Sequence, residues 1–303
     1  MVQWRGRRES RNVIDQRGTR YSGGAGGGGG GLLALLPLLF RIFGWKGAVL
    51  AVIIVGGFGL FSGGIDSALN NLTGGTSQPA TIEGEIPAGT EEAARFAAVM
   101  LADTEEVWTE VFAEAGQQYR EPKLVLFSDA VSSACGFAQS AMGPFYCPAD
   151  ERVYIDVRFY DELAQMGAGN GDFAQAYVLA HEVGHHVENL LGILDRADAE
   201  GRRGGGAAAN LMQVRVELMA DCFAGLWAAR ADQRFNLLEP GDIDEGMAAA
   251  AAVGDDTIQR RAGRSVVPDS FTHGSAAQRQ RWFMRGFNNP DVSSCDTFSA
   301  REL

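Results

Sequence analysis

His181, Glu182 and His185, in the order H-E-x-x-H, are the residues of this 303-residue chain whose types and spacing point most directly to chemistry. On a helix, positions four apart share a face, so both imidazoles can address one metal ion while the Glu182 carboxylate stands beside them. With one more protein ligand, such a set leaves one tetrahedral position of a zinc ion open. A water bound there has its pKa lowered to about 7, and Glu182 can take its proton. The reaction type this implies is hydrolysis by an activated water. Three of the four histidines lie within 181–186 and the fourth is His273. His186 sits about 100° around the helix from His185, which predicts packing or solvent for it rather than metal.

A third ligand is expected downstream, and Glu217-Leu218-Met219-Ala220-Asp221 supplies one. Glu217 and Asp221 are again four apart, so a carboxylate that binds metal and one that supports the site can share a helical face. Metal-bound histidines usually donate their second ring N–H to a carboxylate or carbonyl, a role for which Asp221 is the candidate.

These side chains must be positioned by two helices. The first is predicted from Asp172, read as its N-cap, through Phe173, Tyr177 and Val178 to Leu190 and Leu191, with Gly192 as a stop signal. Between the helices, Gly201 to Gly206 reads as a mobile loop. Thr90-Glu91-Glu92 opens a further helix carrying Phe96, Val99, Met100, Val107, Val111 and Phe112 at helical spacing. Lys123 to Phe127 and Arg152 to Val157 read as strands, with Val153, Ile155 and Val157 on one face. Asp242 to Arg261 reads as one alanine-rich scaffold helix, and the last helix follows Thr272-His273-Gly274-Ser275 with Arg279, Trp282 and Phe283 at helical spacing.

Four cysteines allow three pairings. The expectation is Cys135 with Cys147, across a short loop rich in Ser, Gly and Pro, and Cys222 with Cys295, tying the second ligand helix to the C-terminal tail. Four reduced thiols are the alternative reading, and the absence of any C-x-x-C pair argues against a cysteine-ligated zinc site.

Net charge is −12, yet residues 1–46 carry eight Lys/Arg against Glu9 and Asp15. The acidic body argues against nucleic acid as a partner, and the basic head is expected to meet anionic lipid. Residues 47–65 contain no charge and have about the length of a spanning helix, so the expected organisation is a basic cytoplasmic segment 1–46 with a Gly-rich spacer, a transmembrane helix 47–66, a linker 67–89 and a catalytic domain 90–303. Positive charge upstream orients the N-terminus to the cytoplasm and the catalytic domain outside.

H-E-x-x-H followed on a later helix by E-x-x-x-D resembles the gluzincin metallopeptidases. More narrowly, the chain resembles the bacterial membrane-anchored neutral zinc metallopeptidases over nearly its whole length. The resemblance includes Trp4-Arg5-Gly6-Arg7, Asn12-Val13, Arg17-Gly18, Gly143-Pro144-Phe145-Tyr146-Cys147-Pro148, the run from His181 to Glu188, Glu217 to Cys222, and His273-Gly274 with Arg279, Trp282 and Phe283. It implies one Zn2+ per chain on His181, His185 and Glu217, Glu182 as catalytic base, and an α+β, zincin-like fold: a mostly helical catalytic domain with a small β-sheet beside the zinc helix, preceded by one transmembrane helix. It also implies a single-pass protein of the bacterial inner membrane, with lipid around the span and a peptide or protein as substrate. In resembling peptidases a downstream histidine or tyrosine stabilises the oxyanion, which makes His273 the candidate here against a capping or packing role. An edge strand pairs with extended substrate in such folds, which makes Tyr154 to Val157 a candidate ledge. Two other readings stay open: a non-catalytic, zinc-stabilised, membrane-anchored binding or quality-control module, and a hydrolase of lipid or cell-wall bonds.

Overall fold

The computed structural model describes residues 1–22, 80–83, 89–169 and 171–303. The chain divides into two compact units, Met1–Thr19 with Gly84–Leu303, and Arg20–Glu83. Strands β2 (Thr19–Ser22) and β3 (Ala80–Glu83) pair in a two-stranded sheet. The larger unit is α+β. It contains strands β1 (Val13–Gln16), β4 (Lys123–Phe127), β5 (Ala130–Ser133), β6 (Gly136–Gln139), β7 (Phe145–Cys147) and β8 (Arg152–Asp156). Its helices are α1 (Glu91–Glu114), α2 (Phe159–Leu163) running into a π-helical turn (Ala164–Ala168), α3 (Asp172–Leu190), α4 (Ile193–Gly204), α5 (Gly206–Phe235), α6 (Asp242–Ala252), α7 (Asp255–Arg261) and α8 (Ala276–Asn288).

The main sheet has the order β1-β4-β8-β7, with β1, β4 and β8 parallel and β7 antiparallel at one edge. Val153 and Ile155 join Leu124 and Leu126 in the main core, while Tyr154 joins Val125, Phe127 and Val131 in a second cluster. Covered on both faces, these strands read as continuous apolar runs. β8 pairs with β4 over its whole length and with β7 at Arg152 to Tyr154, so within the expected ledge the Tyr154 main chain is taken up on both sides, and β7 is the strand at the edge of the sheet.

Helices α3, α5 and α8 pack at unusually short range because glycines face them. A Cβ on Gly184 would lie 3.0 Å from Cα and O of Ala220, and one on Gly225 or Gly286 would fall on the Phe283 or Cys222 carbonyl at 2.0 or 1.9 Å. Backbone therefore meets backbone at α3–α5 and α5–α8, and Phe173, Tyr177, Val183, Leu218, Phe223, Trp227, Trp282 and Phe283 fill the core around these contacts. Two disulfides are formed, Cys135–Cys147 and Cys222–Cys295, the second joining α5 to the C-terminal segment.

Several local expectations are corrected. Asp172 is the first residue of α3 rather than its cap, which is Gly171. The Asp172 carboxylate accepts from the Val2 N–H at 2.9 Å, and Glu245 takes the orphan N–H of Phe173 at 3.3 Å. The glycine run 201–206 is largely helical, broken at Gly205 and Gly206 with φ +59° and +47°, because α4 folds back against α5 and Gly201 approaches Ala209. The scaffold helix expected over 242–261 is two helices. The chain turns at Val253-Gly254, where a Cβ on Gly254 would sit 2.4 Å from the Ala276 nitrogen.

The N-terminal segment also differs from expectation. Val2 and Trp4 are buried in the main core, Trp4 edge-on to Phe96 at 5.5 Å, and β1 is a strand of the main sheet. Its cations are spent on α1: Arg8 bonds Glu105 at 3.0 Å, Arg7 pairs with Asp103 and Arg5 with Glu92, while Arg17 is held by Asp15 at 2.7 Å. Residues 1–19 thus form one folded unit with 84–303, which overturns a cytoplasmic head across a membrane from an exported catalytic domain. The membrane anchor is corrected with it. Among the described residues no helix is long and apolar enough to cross a membrane, and the segment 47–66 on which that expectation rested lies outside them. The single-pass topology, lipid partner and inner-membrane location that depended on that segment are not carried further.

Candidate metal centre

α3 supplies His181, Glu182 and His185, and α5 supplies Glu217 and Asp221. The helices meet at Gly184 and Ala220, which sets one ligand atom from each of His181, His185 and Glu217 within 4.8 Å of the others. Nε2 of His181 lies 3.3 Å from Glu217 Oε2, and Nε2 of His185 lies 3.7 Å from Glu217 Oε1. Each imidazole is fixed from behind by its own carboxylate. His181 Nδ1 is 2.9 Å from Asp221 Oδ1, and His185 Nδ1 is 2.7 Å from Glu188 Oε2. With each Nδ1 held by a carboxylate, the Nε2 atoms of both rings are directed at Glu217, the arrangement that suits a divalent metal bound by two imidazoles and a carboxylate.

The charges are tightly coupled. Burial opposes the cationic form of His181, but the Asp221 charge and hydrogen bond, with Glu217, push its pKa up to about 10. Glu217 would be raised by burial, yet the His181 hydrogen bond and the charges of His185 and His181 hold it well below the usual carboxylate range. Glu182 is also buried, and burial raises its pKa against the opposing pull of His181 and His185.

Sequence reasoning missed two supports of this centre. Glu188 is fully buried, its Oε1 has no partner, and burial followed by repulsion from Glu217 raises its carboxyl pKa strongly. A carboxylate three residues beyond His185 was a readable signal, since positions three apart on a helix are neighbours. Arg279, 3% exposed, grips Asp221 through Nε–Oδ2 at 2.8 Å and Nη2–Oδ1 at 2.9 Å, and its Nη2 donates to the Tyr177 hydroxyl at 3.2 Å. The Tyr177 O–H in turn donates to Asp221 at 2.5 Å. An arginine on the apolar face of α8, four residues before Phe283, signals a buried cation that must find an anion.

His273 stands on the rim, half exposed, with Nδ1 3.0 Å from Thr272 Oγ1 and 3.4 Å from Asp255 Oδ1. Asp255 Oδ2 also accepts the N–H groups of Thr272, His273 and Gly274 at 2.8, 2.6 and 3.0 Å, so one carboxylate shapes the whole turn. That hydrogen bond raises the pKa of His273 against burial, with the Glu217 charge adding to it. His186 is buried and neutral, bonded to the Arg120 carbonyl at 2.6 Å and the Tyr146 hydroxyl at 3.0 Å; it fastens α3 to the sheet. A second acidic group, Asp172, Asp242 and Glu245, already accepts the Met1 ammonium at Asp242 and main-chain N–H groups at the other two.

His181, Glu182, His185, Glu217, His273 and Arg279 share one open cleft of about 540 Å³, walled on its other sides by Met142 to Tyr146, Phe159, Met166, Val178, Val253 and Ile258. A cavity of about 790 Å³ lies apart, between the start of α5, residues 266–271 and α8, and contains none of these groups.

One buried and one partly buried imidazole with a partly buried carboxylate, and a second, buried glutamate beside them in an open cleft, define a metal-dependent hydrolase class of site. The chain belongs to the family described as "Putative neutral zinc metallopeptidase", which matches residues 2–298. It is similar to the protein YpfJ of Escherichia coli (strain K12), 44% identical over 301 residues that cover 98% of this chain and 99% of the relative. It is also similar to Mb2605 of Mycobacterium bovis and Rv2575 of Mycobacterium tuberculosis, each 48% identical over 197 residues that cover 61% of this chain and 65% of the relative. No solved structure matches.

Proposed function

We propose that this chain is a zinc-dependent peptidase in which His181, His185 and Glu217 hold the metal and Glu182 is the catalytic base. The observation that carries the reading is the pair of outward Nδ1 bonds to Asp221 and Glu188, which directs both Nε2 atoms at Glu217. When bound, zinc supplies Lewis-acid polarisation of a carbonyl and lowers the pKa of water. Glu182, buried in the cleft with its proton affinity raised, takes the proton of the attacking water and passes it to the leaving nitrogen. His273, whose protonated form the Asp255 hydrogen bond favours, donates to the oxyanion that forms as water adds. Extended substrate pairs with the free edge of β7, whose Phe145 and Tyr146 line the cleft.

The test compares zinc-loaded wild type and Glu182→Gln on a mixed peptide library, with bound zinc measured in both. Cleavage by wild type alone, with equal zinc, supports the reading. Silence of both with zinc retained removes peptide hydrolysis and favours a zinc-stabilised binding module.

A further inference from the structure

Beyond the polar end of the cleft, every remaining wall but one is apolar, and that asymmetry bears on what the cleft accepts. Val178 lies one turn before His181 and Glu182 on the same face of α3 and is 7% exposed. Phe159 and Met166 come from α2 and the π-helical turn, Val253 and Ile258 from the end of α6 and from α7, and Met142 from the segment before β7. Independent contacts hold these walls in place. Arg261 bonds the Met166 carbonyl, joining α7 to the π-helical turn. Gly143, at φ +79°, faces the Phe159 ring, and a Cβ there would be in ordinary van der Waals contact with it at 3.5 Å. The Cys135–Cys147 disulfide closes the segment that carries Met142 and Gly143.

Met142 and Ile258 are 70% and 45% exposed, yet both face this cleft. Leaving such side chains in water is unfavourable in proportion to their apolar area, and a ligand that covers them recovers that term. The one charged side chain on these walls is Glu162, exposed at the mouth. A volume of about 540 Å³ falls in the range of sites that enclose a ligand, which is enough for a short peptide segment.

We infer that the cleft selects peptides with a bulky apolar residue, such as Leu, Phe or Met, next to the scissile bond, seated between Val178, Phe159, Met166, Val253 and Ile258, and that it disfavours Asp or Glu there. This rests on the peptidase reading for the word scissile, but the apolar subsite can be measured without turnover. Full burial of a large apolar side chain against Ala corresponds to roughly 10–100-fold in affinity or kcat/KM.

The experiment uses the full zinc-loaded chain and peptides identical except for one position occupied by Ala, Leu, Phe, Asp or Lys. Cleavage is followed in wild type, and binding is followed by fluorescence anisotropy in Glu182→Gln. The expected result is Leu and Phe above Ala by about 10-fold or more in both assays, with Asp lowest. Ile258→Asp and Met142→Asp, at exposed rim positions, are expected to erase most of that preference and to improve the Lys peptide. Equal binding of Ala, Leu and Phe, or a preference unchanged by both rim variants, overturns the inference whether or not wild type cuts. Selective binding without cleavage in wild type upholds the subsite and sinks the peptidase reading alone.

Discussion

Nδ1 of His181 stands 2.9 Å from Oδ1 of Asp221, and the same carboxylate is clamped from its other side by Arg279. Asp221 therefore orients an imidazole and neutralises a buried guanidinium at once. Asp221→Asn keeps the shape and removes the charge. Zinc affinity is expected to fall about 10–100-fold, as for loss of a carboxylate behind a metal-bound histidine. Stability is expected to fall by about 3–5 kcal/mol, because the buried Arg279 loses its hydrogen-bonded carboxylate and keeps only Glu217 at 3.9 Å. Chelator competition reads the first effect and denaturant unfolding the second; unchanged zinc affinity would separate Asp221 from the metal site.

The Glu188–His185 bond predicts a parallel result with a different stability signature. Among the described residues Glu188 pairs with no Lys or Arg and has one unsatisfied oxygen, so Glu188→Gln removes a carboxylate whose burial is unfavourable. The variant is expected to bind zinc about 10–100-fold more weakly, yet to unfold at equal or higher denaturant concentration than wild type. A large loss of stability with unchanged zinc affinity would make Glu188 a packing residue only.

The ligands themselves were legible because helical period alone brings His181 to His185 and Glu217 to Asp221 on common faces, and the hydrophobic periodicity of α1, α3 and α8 marked their buried sides. What was not legible depends on contacts between distant segments. Arg7 and Arg8 read as part of a basic head for anionic lipid because nothing local to them announces their partners on α1, about 90 residues away, or the pairing of β1 with β4. The glycines of 201–206 carry loop composition, but packing of α4 on α5 overrides their weak helix propensity. Glu188 and Arg279 carry a local signal in their helical spacing, but which polar neighbour each serves depends on the packing of α3, α5 and α8.

Asp255 and His273 predict a pH dependence. The Asp255 hydrogen bond raises the pKa of His273, so the folded state favours the protonated imidazole. The stabilising contribution of the pair is therefore fully present below the unfolded histidine value of about 6.5 and is lost as pH rises through the raised folded value. If His273 donates to the oxyanion, kcat/KM falls on an alkaline limb set by that raised value. Asp255→Asn, which can still accept from the 272–274 amides, should move the limb toward acid. An unmoved limb in the pH profile would assign it to another group.

The two disulfides should differ in weight. Cys222–Cys295 spans 73 residues and Cys135–Cys147 spans 12, for which loop entropy in the unfolded chain gives about 4 and about 3 kcal/mol. Replacing both members of the long bridge by Ala is expected to lower the thermal midpoint by on the order of 10 °C and to weaken zinc binding, since Cys222 adjoins Asp221. Replacing Cys135 and Cys147 should lower it less and should raise KM instead, because that bridge closes a wall of the cleft. Differential scanning calorimetry with peptide kinetics distinguishes the two patterns, and a KM unchanged by loss of the short bridge would remove the wall from substrate binding.

Gly184 has the sharpest structural requirement in the centre. It lies between Glu182 and His185, and an added methyl group would sit 3.0 Å from Cα and O of Ala220 on the facing helix. Neither atom is the end of a flexible side chain, so α3 and α5 must separate by a few tenths of an ångström to admit it. That shift moves His181 and His185 away from Glu217 while leaving every ligand chemically intact. Gly184→Ala also gains helix propensity of about 0.8–1.0 kcal/mol, so overall stability should change little. Zinc affinity is expected to fall by about tenfold or more, with the fold retained by circular dichroism. Wild-type zinc affinity in this variant would mean that the helices relax without cost, and that the close approach of Gly184 to Ala220 is not what sets the ligand geometry.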